Sequence, residues 1–256
     1  MNYNDRDDFY VGYLPAAPAA LARWLKPRIF LLVLVPVVLA ALLSVAQGPF
    51  AASVFEFGHP RDFEGEIVEN PYPMIRLERP GQGLEPAANS HYFLVSFGKA
   101  GARAAVKGLE GRRVRLRGQL IYRDDQTMIE LDSHTPIQPL ADQGPVRSPH
   151  RRELGEMTLV GEIVDSKCFL GVMNPGNLKT HKACAVRCIS GGVPPVLLVR
   201  DSHTAHYFLL VSESGRQVNR SVLDLVGEPV EIRGRVSRFD DLYLLSADPE
   251  TYRRLP

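Results

Sequence analysis

The chain has 256 residues, of which 45% are hydrophobic, and this length allows one sizeable core or two modest ones. The formal net charge is +1, with charged residues spread along the sequence. We therefore expect no nucleic-acid partner, because affinity for phosphates comes mostly from Lys and Arg. The three cysteines fall in one stretch, which excludes the evenly distributed disulfide framework of small secreted domains.

An uncharged apolar stretch runs from Ile29 to Ala46, and its 18 residues approach the roughly 20 that a helix needs to cross a bilayer core. Trp24 lies at its edge, where amphipathic rings favour the headgroup zone. Basic residues precede the stretch at positions 23, 26 and 28, whereas no charge follows until Glu56. By the positive-inside rule we expect residues 1–28 to be a cytoplasmic tail. Residues 29–46 would cross the inner (cytoplasmic) membrane once, with all later residues in the periplasm or outside.

The alternative to a membrane anchor is a cleaved signal peptide. Residues 44–46, Ser-Val-Ala, have the small side chains that a signal peptidase requires. The apolar run is longer than the usual signal core of about 7–15 residues, which favours the anchor. Because no twin-arginine pair precedes the run, we expect export of an unfolded chain before any cofactor is loaded.

Three blocks of sequence occur twice, which indicates two copies of one domain. GEIV at 65–68 recurs at 161–164, HYFL at 91–94 recurs at 206–209, and GRRVRLRG at 111–118 recurs as GEPVEIRG at 227–234. The offset is 96 in the first block, 115 in the second and 116 in the third. The second copy therefore carries an insertion of about 19 residues after its first strand, where the cysteines lie.

Each copy reads as three strands, a short helix and two further strands, from apolar alternation and β-branched content. In the second copy we predict a helix over Arg216–Val226 and strands near 157–167, 195–200, 205–212, 229–237 and 242–247. Five strands with a helix between the third and the fourth resemble the OB-fold.

The predicted fold class is mainly β, with an N-terminal transmembrane helix followed by two OB-like five-stranded barrels. The first domain would span 61–137 and contain no cysteine, and the second would span 155–256. The connectors are 47–60 and a Pro- and Arg-containing linker at 138–154.

The arrangement is similar to membrane-anchored periplasmic OB-fold proteins such as the haem chaperone of cytochrome c maturation. This resemblance implies the fold alone. The haem-binding His and Tyr motif of that family has no match here, and none of its functional residues carries over.

The inserted stretch at 167–188 reads KCFLGVMNPGNLKTHKACAVRC. A short helix from His181 to Cys188 would place His181, Cys184 and Cys188 on one face, and Cys168 would complete the set from the preceding strand. Three thiolates and one imidazole form a known tetrahedral zinc set, although the spacing matches none of the common zinc fingers. We therefore predict a Cys3His metal site, with zinc favoured.

Other ligands and other metals remain open. Copper also binds thiolate and imidazole, and Met173 is near enough in sequence to add a soft ligand. An iron–sulfur cluster fits the ligand type but is inserted before export. His203 and His206 are further candidate ligands. His203 has no counterpart in the first copy, which favours it, whereas His206 has its counterpart in His91, which favours a structural role.

Two readings compete with a metal site. Cys168 can form a disulfide with Cys184 or Cys188 in an oxidising compartment, or the cysteines can be buried thiols without a special role.

The sequence has no nucleophile elbow, P-loop, dinucleotide fingerprint or HExxH helix, and an enzyme is the weaker class. The leading hypothesis is a membrane-tethered accessory subunit whose metal loop shapes a protein-docking surface. The alternative is a redox or metal-handling subunit that serves a membrane or periplasmic oxidoreductase complex. An enzymatic low-pKa cysteine would need a nearby cation such as Lys167 or Arg187.

Overall fold

The computed structural model describes residues 19–46, 53–79, 88–141, 150–201 and 204–256. These residues divide into an N-terminal helical unit, within residues 1–51, and a compact unit over residues 52–256. Most of the predicted tail, part of each predicted connector and His203 lie outside the described residues.

Helix α1 spans Ala19–Ala46 and begins ahead of the predicted start at Ile29. Its segment Leu21–Ala46 is long and apolar enough to cross a membrane, a test that a signal sequence also passes. The guanidinium of Arg28 lies 3.8 Å from the Trp24 ring centroid and donates to the Trp24 carbonyl at 2.7 Å. The basic edge of the apolar stretch is thus part of the helix.

The described strands of the second unit, in chain order, are β1 (Ser53–Phe55), β2 (Arg61–Val68), β3 (Met74–Arg79), β4 (Ala88–Val95), β5 (Arg113–Arg123), β6 (Gln126–Leu131), β7 (Gln138–Pro139), β8 (Arg151–Asp165), β9 (Pro195–Arg200), β10 (Ala205–Val211), β11 (Pro229–Phe239), β12 (Leu242–Ser246) and β13 (Arg253–Arg254). The helices are α2 (Arg103–Val106), a π-helical turn (Cys168–Val172), α3 (Lys182–Ser190) and 3₁₀ turns at Leu223–Leu225 and Pro249–Thr251.

These strands form two barrels of the same topology. In the first, the order is β5-β2-β3-β4-β6, and β6 pairs with β5 to close the ring. In the second, the order is β11-β8-β9-β10-β12, closed by the pairing of β11 with β12. The third and fifth strands of each barrel are parallel, and the other pairs in the ring are antiparallel. This is the OB order, so the predicted fold class of two five-stranded barrels is confirmed.

Two glycines of the repeated blocks let the barrels close. A Cβ at Gly118 would lie 2.5 Å from the Glu130 carbonyl oxygen, and a Cβ at Gly234 would lie 2.6 Å from that of Ser246. Glycine is therefore required where the fourth strand bends against the fifth.

The predicted helix over Arg216–Val226 is wrong, because the described structure has only the 3₁₀ turn there. The apolar spacing that suggested a helix serves instead to bury Val218, Val222 and Val226 in the second barrel. The Asn219 side chain donates to two backbone carbonyls outside the segment, those of Ile189 and Val193. Side-chain bonds of this kind compete with a regular helical ladder.

Strand pairing fixes how the two copies correspond. In the first barrel Leu94 lies opposite Ile129, and in the second Leu210 lies opposite Leu245. Ile129 and Leu245 are 116 positions apart, which is the offset of the GRRVRLRG block. Leu94 is therefore equivalent to Leu210, and the offset in this strand is 116.

The two HYFL segments, which match in sequence, are thus shifted by one residue relative to each other in the structure. The structural counterpart of His91 is Tyr207, so the predicted equivalence of His91 and His206 is wrong. A slip of one residue moves a side chain to the other face of a strand. Accordingly, the His91 side chain is fully buried, whereas that of His206 is 52% exposed.

The barrels pack against each other through a shared apolar core, while each also has a core of its own. The first barrel contributes Tyr72, Met74, Phe93, Val95, Ile121 and Met128, and the second contributes Val164, Cys168, Phe169, Leu170, Cys188, Val193, Val196, Leu198, Tyr207, Leu209, Val211 and Leu242. Two of the three cysteines therefore lie at the boundary between the barrels.

Candidate metal centre between the barrels

The cysteines lie in the connection between β8 and β9, which is much longer than its counterpart between β2 and β3. Ile67 and Ile163 are 96 positions apart, and their partners on the next strand, Ile75 and Leu197, are 122 apart. The insertion is thus 26 residues. The predicted value of about 19 is smaller because the connection after β9 is shorter in the second barrel, which offsets part of the insertion. It contains the π-helical turn and α3.

The three sulfur atoms converge at one point. Cys168 Sγ lies 3.9 Å from Cys188 Sγ and 4.0 Å from Cys184 Sγ, and all three sulfurs lie within 4.8 Å of one another. All three cysteines are free, whereas a disulfide would bring two sulfurs to about 2.0 Å. A tetrahedral ion with metal–sulfur bonds of about 2.3 Å requires sulfurs roughly 3.8 Å apart. The observed spacing fits a shared ion.

The helical spacing of the sequence explains this convergence. Cys184 and Cys188 are one turn apart on α3, and Cys168 opens the π-helical turn that follows β8. Cys168 and Cys188 are buried, whereas Cys184 is partly exposed. An ion or a small reagent therefore reaches the cluster from the Cys184 side.

His181 lies in a second group that shares Cys168 with the first. Its Nε2 is 3.1 Å from Asp165 Oδ2, and ligand atoms of Asp165, Cys168 and His181 lie within 4.8 Å of one another. Asp165 Oδ1 also accepts the backbone N–H of Cys168 at 2.8 Å. The structure thus places the three sulfurs in one group of potential metal ligands and His181 in the neighbouring group.

Asp165 was not identified from the sequence. The available signal was a carboxylate at the end of a strand, three residues before a cysteine, which is where a side chain accepts a backbone N–H to begin a turn. Asp165 is fully buried, and its bonds to Cys168 and His181 hold the start of the insertion against the N-terminus of α3.

The additional candidates are placed differently. Met173 is 45% exposed and its backbone N–H donates to the Cys168 carbonyl at 3.1 Å. His206 lies on β10, where its Nε2 is 3.2 Å from Thr204 Oγ1. His203 lies outside the described residues.

The first barrel contributes a cation that sequence reasoning missed. Lys99 Nζ donates to Cys184 Sγ at 2.6 Å, across a separation of 85 residues. The hydrogen bond to Cys184 raises the pKa of the Lys99 ammonium above its ordinary value. Nothing local in the sequence around Lys99 indicates this contact, because it depends on how the barrels pack.

The two buried thiols change each other's pKa. The hydrogen bond between Cys168 and Cys188 raises the pKa of the Cys168 thiol and lowers that of Cys188, while burial raises both. Cys188 is therefore the first of this pair to become a thiolate, the form that binds metals.

Lys167, which the sequence offered as a cation for a reactive cysteine, points to the first barrel instead. It is 2% exposed, and its Nζ donates to the carbonyls of Ser96 and Gly98 and pairs with Glu130. All three ammonium protons are thereby engaged, so Lys167 fixes the loop that carries Lys99.

Comparison with known families gives no matching family model, and comparison with curated proteins gives no match. Among solved structures, the chain is similar to a deletion mutant of the single-stranded DNA binding protein from Thermus aquaticus. The identity is 15%, the TM-score is 0.23, and the match covers 80% of this chain and 88% of that one. A likeness at this level carries no argument about what this chain binds.

The exclusion of nucleic acid from net charge is corrected: it does not hold beside a likeness to a single-stranded DNA binding protein, although that likeness assigns no nucleic-acid ligand to this chain. The physical reason is that net charge sums over the whole chain, whereas phosphate contacts are made by local groups of basic side chains. A total of +1 excludes no such group.

Proposed function

We propose that this chain is a membrane-tethered accessory subunit whose second barrel holds one zinc ion on Cys168, Cys184 and Cys188. The observation that carries the proposal is the convergence of the three sulfurs at the spacing of a shared ion. Thiolates are soft ligands, and a set of three favours zinc or copper over magnesium or calcium.

We assign the fourth ligand position to His181. An imidazole that binds a metal usually gives its other ring nitrogen to a carboxylate, which orients it. The contact of His181 Nε2 with the buried Asp165 supplies that orientation.

The role of the ion is structural. The π-helical turn and α3 are joined by residues 173–181, a described segment without a regular helix or strand. A zinc ion bound to both helices would stabilise the insertion, because metal binding free energy adds to folding free energy. It would also hold the surface that contacts Lys99 of the first barrel.

The anchor is α1, with the barrels on the far side of the inner membrane. The length and composition of Leu21–Ala46 support this placement, as do the basic residues at 23, 26 and 28. The ion would then be loaded after export, in the periplasm.

Elemental analysis of the purified full-length chain tests the proposal. The expected result is one zinc per chain in the wild type, loss of zinc in Cys188→Ser, and a full complement in His206→Gln. His181→Gln should keep the ion with lower affinity, because three thiolates remain. A wild-type chain without metal, or a Cys188→Ser variant that keeps it, would contradict the proposal.

Metal handling is a second candidate, favoured by the partial exposure of Cys184. A site reached from solvent exchanges its ion faster than a closed structural site does. Transfer of copper(I) from the loaded chain to a soluble chelator within seconds would support this role, whereas retention for hours would support the structural one.

A further inference from the structure

The contact between Lys99 and Cys184 is shorter than a hydrogen bond to sulfur. Its 2.6 Å separation is less than the roughly 2.9–3.0 Å of an ordinary N–H···O bond, although sulfur is larger than oxygen. A nitrogen and a sulfur that are each bonded to one shared oxygen atom lie this close. We propose that Lys99 Nζ and Cys184 Sγ are a modification site, where peroxide joins them through one oxygen when no metal is bound.

Backbone contacts on both sides hold the two atoms in place. Gly101 donates to the Gly191 carbonyl at 2.9 Å, and a Cβ at Gly191 would lie 2.0 Å from the Lys99 carbonyl oxygen. The loop of Lys99 thus lies directly against the C-terminal end of α3. A reaction between the side chains would need little movement of either barrel.

Cys184 is the sulfur that an oxidant reaches first. It is partly exposed, whereas Cys168 and Cys188 are buried. Peroxide oxidises the sulfur that it can reach, and the side-chain nitrogen of Lys99 is the group beside that sulfur.

The chemistry balances with hydrogen peroxide as the oxidant. The first peroxide converts the Cys184 thiol to a sulfenic acid and releases one water. The Lys99 ammonium loses one proton to the solvent, and a second peroxide then oxidises the neutral amine to a hydroxylamine and releases another water. The hydroxylamine oxygen then bonds to the sulfenic sulfur, and the sulfenic hydroxyl leaves as a third water. The net change is one thiol, one amine and two peroxides giving one S–O–N link and three waters.

A bound ion and the crosslink exclude each other, because both use the Cys184 sulfur. The crosslink would therefore form only after metal loss, and it would fasten the two barrels covalently where the ion had stabilised the insertion.

Mass spectrometry of the full-length protein, stripped of metal by a chelator and treated with hydrogen peroxide, tests the inference. The expected product has gained one oxygen and lost two hydrogens, and its digest contains the Lys99 peptide joined to the Cys184 peptide. Metal-loaded protein should not form it.

Matched variants identify the atoms. Lys99→Arg keeps the positive charge without a primary amine and should abolish the link, as should Cys184→Ser. Lys107→Arg changes an exposed lysine of the same barrel and should leave the yield unchanged. The same product from Lys99→Arg, or a cysteine disulfide as the only product, would overturn the inference. If the protein binds zinc but does not form the crosslink after metal removal, this inference alone is overturned. If the crosslink forms in a protein that never binds metal, only the proposed function is overturned.

Discussion

The two barrels meet at two junctions that the repeat makes equivalent, and the junctions differ in chemistry. In each, the connection after the first strand of one barrel reaches the connection after the third strand of the other. At the first junction Tyr72 donates its hydroxyl to the Leu210 carbonyl and accepts the Val218 N–H. At the second, Cys184 meets Lys99 and Gly191 accepts from Gly101.

The difference shows what the insertion adds. The first junction is fully buried and neutral, and burial raises the pKa of Tyr72, so its hydroxyl stays protonated. The second junction has three sulfurs and an exposed ammonium in the corresponding place. The insertion therefore replaces a packing contact with one that carries the three sulfurs, on which the proposed ion and the proposed oxidation would act.

A second pair of contacts follows the same symmetry. The hydroxyl of Tyr207 in the second barrel donates to Asp124 of the first. His91 of the first barrel lies 3.8 Å from Asp240 of the second, which is the counterpart of Asp124, and 3.2 Å from the adjacent Asp241. Tyr207 is the register counterpart of His91. These reciprocal contacts indicate that the copies associate as two halves of a pseudo-twofold arrangement.

The largest effect should come from the neutral junction. Tyr72→Ala removes a fully buried ring from the shared core and should lower the free energy of unfolding by about 3–5 kcal/mol. Because the hydrogen bonds of the Tyr72 hydroxyl go to Leu210 and Val218 and not to the cysteines, the metal content should stay at the wild-type level. Denaturant titration with elemental analysis measures both, and loss of the ion together with stability would show that the junctions are not independent.

A methyl group at the second junction should have a smaller effect. In Gly191→Ala, the new Cβ would collide with the Lys99 carbonyl, and relief of the collision should cost about 1–3 kcal/mol. The Lys99 loop would move away from α3, so peroxide should no longer link Lys99 to Cys184. The control change is Gly215→Ala, in the loop of the second barrel that corresponds to the Lys99 loop of the first. It should leave the link intact. Unchanged crosslinking in Gly191→Ala would count against the proposed contact.

The smallest effect should come from the reciprocal pair. Tyr207→Phe removes one hydrogen bond to Asp124 and should lower the free energy of unfolding by about 1 kcal/mol. The ring stays in the shared core, so both metal content and crosslinking should be unchanged. If Tyr207→Phe lowered the free energy of unfolding by more than Tyr72→Ala does, the symmetry of the two contacts would be misleading.

Local patterns account for what the sequence predicted well. Alternation and β-branched residues located the strands of the second barrel and gave the order of elements in both, and the four-residue spacing of Cys184 and Cys188 predicted their shared helical face. Long-range packing accounts for what it missed. Lys99 and Asp165 have no pattern that connects them to the cysteines, and matching HYFL letters concealed a one-residue slip that only strand pairing shows. The helix over Arg216–Val226 failed because the spacing of buried valines fits a loop as well as a helix.

X-ray absorption at the metal edge of the loaded full-length protein tests the central claim most directly. Three sulfur neighbours at about 2.3 Å, with one nitrogen neighbour, are the predicted shell. A shell of oxygen or nitrogen atoms without sulfur would contradict the assignment of Cys168, Cys184 and Cys188 as ligands.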